Sequence, residues 1–190
     1  MGACAKKGIA LSFLSPNGKF LARIMGEQQG NVLLRRTQYR IADDEITSGK
    51  IANNIIAAKL YNSRWVLERA LRDHALRVDQ KRLSKVTGFL VNASKNALMA
   101  GSLEQLRGLE GEGAAQYFSV FDELILQQKE NFFFHGRNRR PPLDNVNAML
   151  SFIYSLLAHE TAAALETVGL DPYVGFLHRD RPGRPSLALD

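Results

Sequence analysis

Two titratable side chains stand out for the residues around them. His178 closes the apolar run Tyr173-Val-Gly-Phe-Leu177, and Arg179, Arg181 and Arg184 follow it among Pro182, Gly183 and Pro185. A neutral imidazole can ligate a metal or carry a proton, and guanidinium forks suit phosphate. Proline and glycine make this stretch a stiff loop. A ligand beside phosphate-reading arginines points to metal-assisted chemistry on a polyanion. From these residues alone a solvated basic loop with an ordinary surface histidine is the simpler reading. Glu110 is the second group. At helical spacing it shares a face with Leu106, Gly113, Ala114, Tyr117 and Phe121, so it points at the core, whereas Glu112 points at water. An inward carboxylate needs a hydrogen-bonding partner, a counter-ion or a bound cation. Gly108, Gly111 and Gly113 imply that a backbone or a ligand comes close to this helix. A buried ion pair at a close helix crossing accounts for the same pattern.

The third chemical stretch is Gln127–Pro142, a loop holding Phe132-Phe-Phe134, His135, Arg137, Arg139 and Arg140. Aromatics interleaved with arginines suit a nucleic-acid backbone with exposed bases. Part of the phenylalanine run is equally expected in the core, with the arginines solvated.

The elements that must position these groups are mostly helices. Ile9–Leu14 and Phe20–Met25 flank Asn17-Gly18, a hairpin signal. Residues 26–42 read as a connector. Asp43-Asp44-Glu45 opens a helix running to about Arg72, with Ile51, Ile55, Ile56, Leu60, Leu67 and Leu71 on its apolar face. Val78–Ala100 is a second helix, and Ser102 caps a third that carries Glu110. Asp144 caps a long helix whose apolar face runs Val146, Leu150, Ile153, Leu157, Ala164 and Val168, ended by Gly169 and Pro172. His159 within it reads as structural. The fold class is therefore mainly α, a helical region over 43–190 preceded by a β-hairpin, with the boundary near Ala42.

The chain of 190 residues carries 25 Lys plus Arg against 19 Asp plus Glu, a net charge of +6, which favours a polyanionic partner. Its 45% hydrophobic content supports a core and argues against disorder. Cys4 is the one cysteine, which excludes an internal disulfide and a thiolate zinc cage, and fits a reducing cytoplasm. No apolar run of membrane-spanning length and no signal peptide are expected. Both ends read as cut, at the helix-like Met1–Gly8 and at the apolar segment beginning Ser186.

Three motifs in order carry a family resemblance. They are Gly-Leu-Glu110-Gly with Ala114 and Tyr117-Phe118, then Asn131-Phe-Phe-Phe-His-Gly-Arg-Asn-Arg-Arg-Pro-Pro-Leu-Asp144, then Gly-Phe-Leu-His178 followed by Arg-Pro-Ser-Leu-Ala-Leu-Asp190. Together they resemble the CRISPR-associated nuclease-integrase that inserts new spacers, and the arginine-rich loop looks most like the type I-C version. The resemblance implies a small N-terminal β domain, represented here by a β-hairpin remnant at 1–35, a connector at 36–42, and a larger helical catalytic domain over 43–190. It implies one divalent metal, Mg²⁺ or Mn²⁺, held by a glutamate, a histidine and a later acidic residue. Glu110 matches the glutamate, His178 the histidine, and Asp190 the first acidic position of the last motif. The usual third ligand lies three residues beyond Asp190. Glu110, His178 and Asp190 are thus the expected catalytic residues, with Glu110 and His178 facing one another. Arg137, Arg139, Arg140, Arg179, Arg181 and Arg184 are the expected DNA contacts. The resemblance further implies double-stranded DNA, a homodimer, a second small CRISPR adaptation protein, and strand joining by transesterification from a DNA 3′-hydroxyl. This fragment itself is expected to be inactive. A non-catalytic helical nucleic-acid-binding or assembly module is the alternative reading.

Overall fold

The computed structural model describes residues 2–7, 9–16, 20–24, 31–178 and 181–190. The described chain forms a short helix α1 (Gly2–Lys6), strands β1 (Leu11–Leu14) and β2 (Phe20–Ile24), and helices α2 (Val32–Asp43), α3 (Glu45–Asp73) and α4 (Gln80–Leu98). Then come α5 (Leu103–Ser119), a 3-10 turn (Phe121–Leu124), α6 (Asn145–Thr167) and a single turn α7 (Ser186–Leu189). Met1–Ser48 with Leu150–Asp190 form one compact unit, and Gly49–Met149 form the other.

In the first unit β1 and β2 pair antiparallel, Leu11 with Ile24 through Leu14 with Phe20, with a register shift between Phe13 and Leu14. The expected hairpin is present, while its Asn17-Gly18 turn lies outside the described residues. Arg23 on β2 ties the hairpin to α6. Its guanidinium pairs with Glu166 and donates to the His159 carbonyl at 3.0 Å, and Phe20 stacks on the His159 ring at 4.8 Å. His159 is structural, as its sequence context indicates. Burial and then the nearby Arg23 charge hold its pKa below the ordinary histidine value.

The stretch read as a connector contains α2. Asn31 caps it, its side chain accepting the Leu33 N–H at 2.8 Å. The helix escapes an apolar-periodicity reading because its buried residue is Gln38, while Val32 and Leu33 face outward. Asp44 then caps α3 by accepting from Thr47 N at 3.1 Å.

The second unit is built on α3, α4 and α5. Ala52, Ile56, Ala57, Leu60 and Leu67 of α3, Leu83, Val86, Leu90, Ala93 and Ala97 of α4 and Leu106 of α5 are buried, and Ser94 Oγ of α4 donates to the Ala57 carbonyl of α3 at 2.9 Å. Asp79 caps α4 and Ser102 caps α5, accepting from Arg82 N and Gln105 N. Gly113 is tightly packed: a Cβ built there would collide with Leu60 Cδ2 and lie 3.8 Å from Leu90 Cδ2. Gly108 and Gly111 have nothing within 4 Å of such a Cβ, and what approaches Gly113 is leucine side chain, so the approach of another backbone expected at these glycines is not seen.

Helix α6 departs from expectation. Asp144 does cap it, accepting from Asn147 N at 2.7 Å, and Gly169, at φ +86°, closes it with Leu170 N donating to Leu165 O. Of the face expected to be buried, only Val146 is; Ile153, Leu157 and Val168 are each more than half exposed. The buried contacts of α6 in its own unit instead lie toward Ala162. With few charges over Asn145–Thr167, α6 is also long and apolar enough to cross a membrane by length and composition, contrary to the expectation that no stretch would be.

Candidate active site

His178 sits where a loop is clamped from several sides. The side chain of Asp190 is 1% exposed. It accepts the backbone N–H groups of Phe176 at 2.6 Å, Leu177 at 3.1 Å and His178 at 2.9 Å, and lies 2.7 Å from His178 Nδ1. Burial pushes the Asp190 carboxyl up. The hydrogen bonds from the His178 ring and from the backbone of His178, Phe176 and Leu177 more than offset this and hold it below the ordinary carboxylate range. An ionised Asp190 is acceptor-only, so Nδ1 carries a proton, and in the neutral imidazole the lone pair then lies on Nε2. Nε2 has no hydrogen-bond partner among the described residues, and the side chain is one-quarter exposed. A carboxylate that holds one imidazole nitrogen while the other stays open is common behind a metal-ligating histidine. Both Asp190 oxygens are engaged, so its place here is behind the imidazole.

The Gly-Phe-Leu-His motif has a steric reason. A Cβ at Gly175 would lie 2.8 Å from the His178 carbonyl oxygen, 2.9 Å from Asp190 Oδ2 and 3.0 Å from the Ser186 carbonyl carbon. Only glycine leaves room for the carboxylate to enter the turn. On the far side Ser186 and Leu187 are buried, and Leu187 N donates to Pro172 O at 3.0 Å, which anchors the helical turn that presents Asp190.

Glu110 belongs to the second unit. It is 19% exposed and pairs with Lys59 of α3. Its inward orientation matches the helical spacing, and its counter-ion is a lysine. Glu112 is exposed, also as expected. Among the described residues no group of three or more His, Cys, Asp or Glu is gathered closely enough to hold a metal.

The arginine-rich loop is less uniform than its sequence. Asn147, fully buried, accepts from Arg137 at 2.8 Å and from Asn138 N at 3.1 Å, and donates to Gly136 O and Asp144. Arg137 is thereby half-buried and tied into the loop, whereas Arg139 and Arg140 are exposed. Phe134 is core, packed on Phe118 and Phe121, and its N–H donates to Asp122 at 2.8 Å. Phe133 stays at the surface. Ala114, Ala115, Phe118, Phe134, His135 and Arg139 help to line an open pocket of about 440 Å³. Ala114 lies one helical turn along α5 from Glu110. Arg181 is exposed and Arg184 half-buried on a turn in which Arg184 N donates to Arg181 O. Arg179 lies outside the described residues.

Sequence reasoning missed the polar face of α2 that holds this loop, because its signal is a single buried glutamine among arginines. Gln38, Arg35 and Tyr39 of α2 bond to Asp171, Val174 and Gly169, and Ser48 Oγ donates to the Phe176 carbonyl at 2.8 Å.

The second unit is thus a capped helical layer carrying Glu110, and the first holds a loop histidine fixed by a buried aspartate. The family model for CRISPR associated protein Cas1 matches residues 1–190, and the chain belongs to that family. It is 48% identical to the CRISPR-associated endonuclease Cas1 1 of Chlorobaculum tepidum, covering all of this chain and 55% of that protein. Among solved structures it resembles a casposase bound to integration product, with TM-score 0.76 and 29% identity over 98% of this chain and 50% of that one. It also resembles a chain of a partial Cas6-RT-Cas1–Cas2 complex, with TM-score 0.74 and 27% identity over all of this chain and 55% of that one. The chain spans about half the length of the curated relatives it matches.

Proposed function

We propose that this chain carries catalytic residues of a divalent-metal-dependent DNA endonuclease and integrase of CRISPR adaptation. The observation that supports this most is the Asp190–His178 pair, which leaves Nε2 open in a chain whose family is known. Glu110 and His178 would hold Mg²⁺ or Mn²⁺; the carboxylate oxygen suits either ion, and the imidazole nitrogen favours the softer Mn²⁺. When bound, that ion neutralises charge on the phosphodiester and lowers the cost of forming an oxyanion. Asp190 holds the tautomer and direction of His178. Lys59, now paired with Glu110, would have to give up the carboxylate to the ion.

In the reaction proposed, the 3′-hydroxyl oxygen of the incoming DNA bonds to a phosphorus of the repeat. The bond from that phosphorus to its displaced oxygen breaks, and the proton lost by the attacking hydroxyl is balanced by one gained by the leaving oxygen. The number of phosphodiester bonds is unchanged, so no nucleotide cofactor is required. Arg139, Arg140, Arg181 and Arg184 would contact phosphates, and the pocket beside Phe134 has room for an unpaired base. Double-stranded DNA as substrate, a homodimer, the second small adaptation protein, a type I-C setting and a cytoplasmic site of action complete the reading. The casposase and Cas1–Cas2 likenesses support DNA and that protein as partners.

The Lys59–Glu110 ion pair favours a second reading, in which Glu110 is structural and the module only binds nucleic acid. Joining of a labelled DNA end to a repeat-containing duplex with Mn²⁺ separates the two. A form extended past Asp190 should join, and its Glu110→Ala variant should not. Equal joining by both would remove Glu110 from the chemistry.

A further inference from the structure

The strongest unassigned feature is the amide of Gln38. It is 2% exposed and its hydrogen-bonding groups are engaged. Oε1 accepts the Asp171 N–H at 2.8 Å, and Nε2 donates to Asp171 O at 2.8 Å and to Val174 O at 3.0 Å. A buried primary amide making three bonds to one turn holds that turn's backbone in register, since any slip leaves a buried polar group unsatisfied. Val174 is followed directly by Gly175, where a Cβ would lie 2.9 Å from Asp190 Oδ2, so a small shift of this backbone changes the space the carboxylate occupies. Phe176 and Leu177 then donate to that carboxylate, and His178 follows them.

We propose that Gln38 of α2 is a positioning residue that sets the direction of the His178 imidazole through the 171–174 turn. The proposal rests on the reading of His178 as a metal ligand, but its structural part stands apart from that reading. Gln38 touches neither His178 nor Asp190 in any bond described. Its effect is carried by the turn. Neighbouring bonds differ in kind: Tyr39 OH reaches only the Asp171 side chain at 2.9 Å, near the surface.

The test compares Gln38→Met, which keeps length and volume but no hydrogen bonds, with Tyr39→Phe. The first readout is the pair of His178 ring ¹⁵N resonances, which report tautomer and hydrogen bonding without metal. The second is the Kd for Mn²⁺. Removing a supporting partner of a ligating histidine typically weakens metal binding by about tenfold or more. The expected result is that Gln38→Met loses the distinct Nδ1–H signal of His178 and binds Mn²⁺ about tenfold more weakly, while Tyr39→Phe changes neither. Should Gln38→Met fail to fold, Gln38→Asn, which keeps the amide but draws it back by one methylene, is read the same way. Unchanged ring resonances in a folded Gln38 variant would overturn the proposal. His178→Ala serves as the separate control: if it leaves the Mn²⁺ Kd unaltered, the metal reading of His178 fails, and the ring resonances alone decide the role of Gln38.

Discussion

Replacing Gly175 by alanine puts a methyl group where the Asp190 carboxylate now lies. The new carbon would stand 2.8 Å from His178 O and 2.9 Å from Asp190 Oδ2, both well inside van der Waals contact. Oδ2 must retreat, and it is this oxygen that accepts the Phe176 and Leu177 N–H groups. Hydrogen bonds to a charged acceptor contribute about 1.5–3 kcal/mol each. Weakening two of them costs about 2–4 kcal/mol, offset by about 0.4–1 kcal/mol from the smaller entropy of the unfolded chain. The net loss of about 1.5–3 kcal/mol corresponds to a fall in Tm on the order of 5–10 °C for a chain of this size. The loss also has a pH signature. The Asp190 pKa is depressed in the folded state. Its contribution is therefore present above the unfolded carboxylate pKa and disappears as pH falls through the folded value. The difference in Tm between wild type and Gly175→Ala should accordingly be full at neutral pH and shrink in acid. Thermal melts followed by circular dichroism between pH 7 and pH 3 measure both. Equal melting temperatures at pH 7, or a difference that stays constant into acid, would refute the role given to Gly175.

Lys59→Met should cost less than about 1 kcal/mol, because the lysine is nearly half exposed and such pairs are screened; chemical denaturation checks this. Replacing Arg139 and Arg140 together should reduce the slope of log K against log salt for duplex DNA by about 2, whereas adding Arg137→Ala should also lower Tm, since Arg137 is bonded to the buried Asn147. Asn147→Ala should disorder the same loop and cost about 2–4 kcal/mol, read by denaturation and by loss of amide protection at Asn138.

The helices were legible wherever a cap and an apolar period coincided: Ser102 for α5, Asp144 for α6, Asp44 for α3. The hairpin strands were legible from two short apolar runs around a turn signal. Helix α2 was not, because what it buries is one amide while its first-turn Val32 and Leu33 face out. The apolar face of α6 was read as core, but periodicity reports amphipathicity and not what covers it. In the site, the inward turn of Glu110 and the exposure of Glu112 followed from the 3.6-residue period. Its lysine partner did not, because Lys59 lies 51 positions away in sequence. Asp190 was legible as an acidic position but not as the residue locked behind His178. That role depends on the turn at Gly175, whose geometry the sequence shows only as a glycine.

We propose that His178, oriented by Asp190, would ligate a divalent cation together with Glu110. Pulsed EPR of Mn²⁺ bound to the chain extended past Asp190 tests it, with ¹⁵N-imidazole histidine. The expected result is a coupling to one imidazole nitrogen that vanishes in His178→Ala, with Mn²⁺ binding weakened at least about tenfold in Glu110→Ala. An imidazole coupling that persists in His178→Ala, or is absent from the unsubstituted protein, would contradict it.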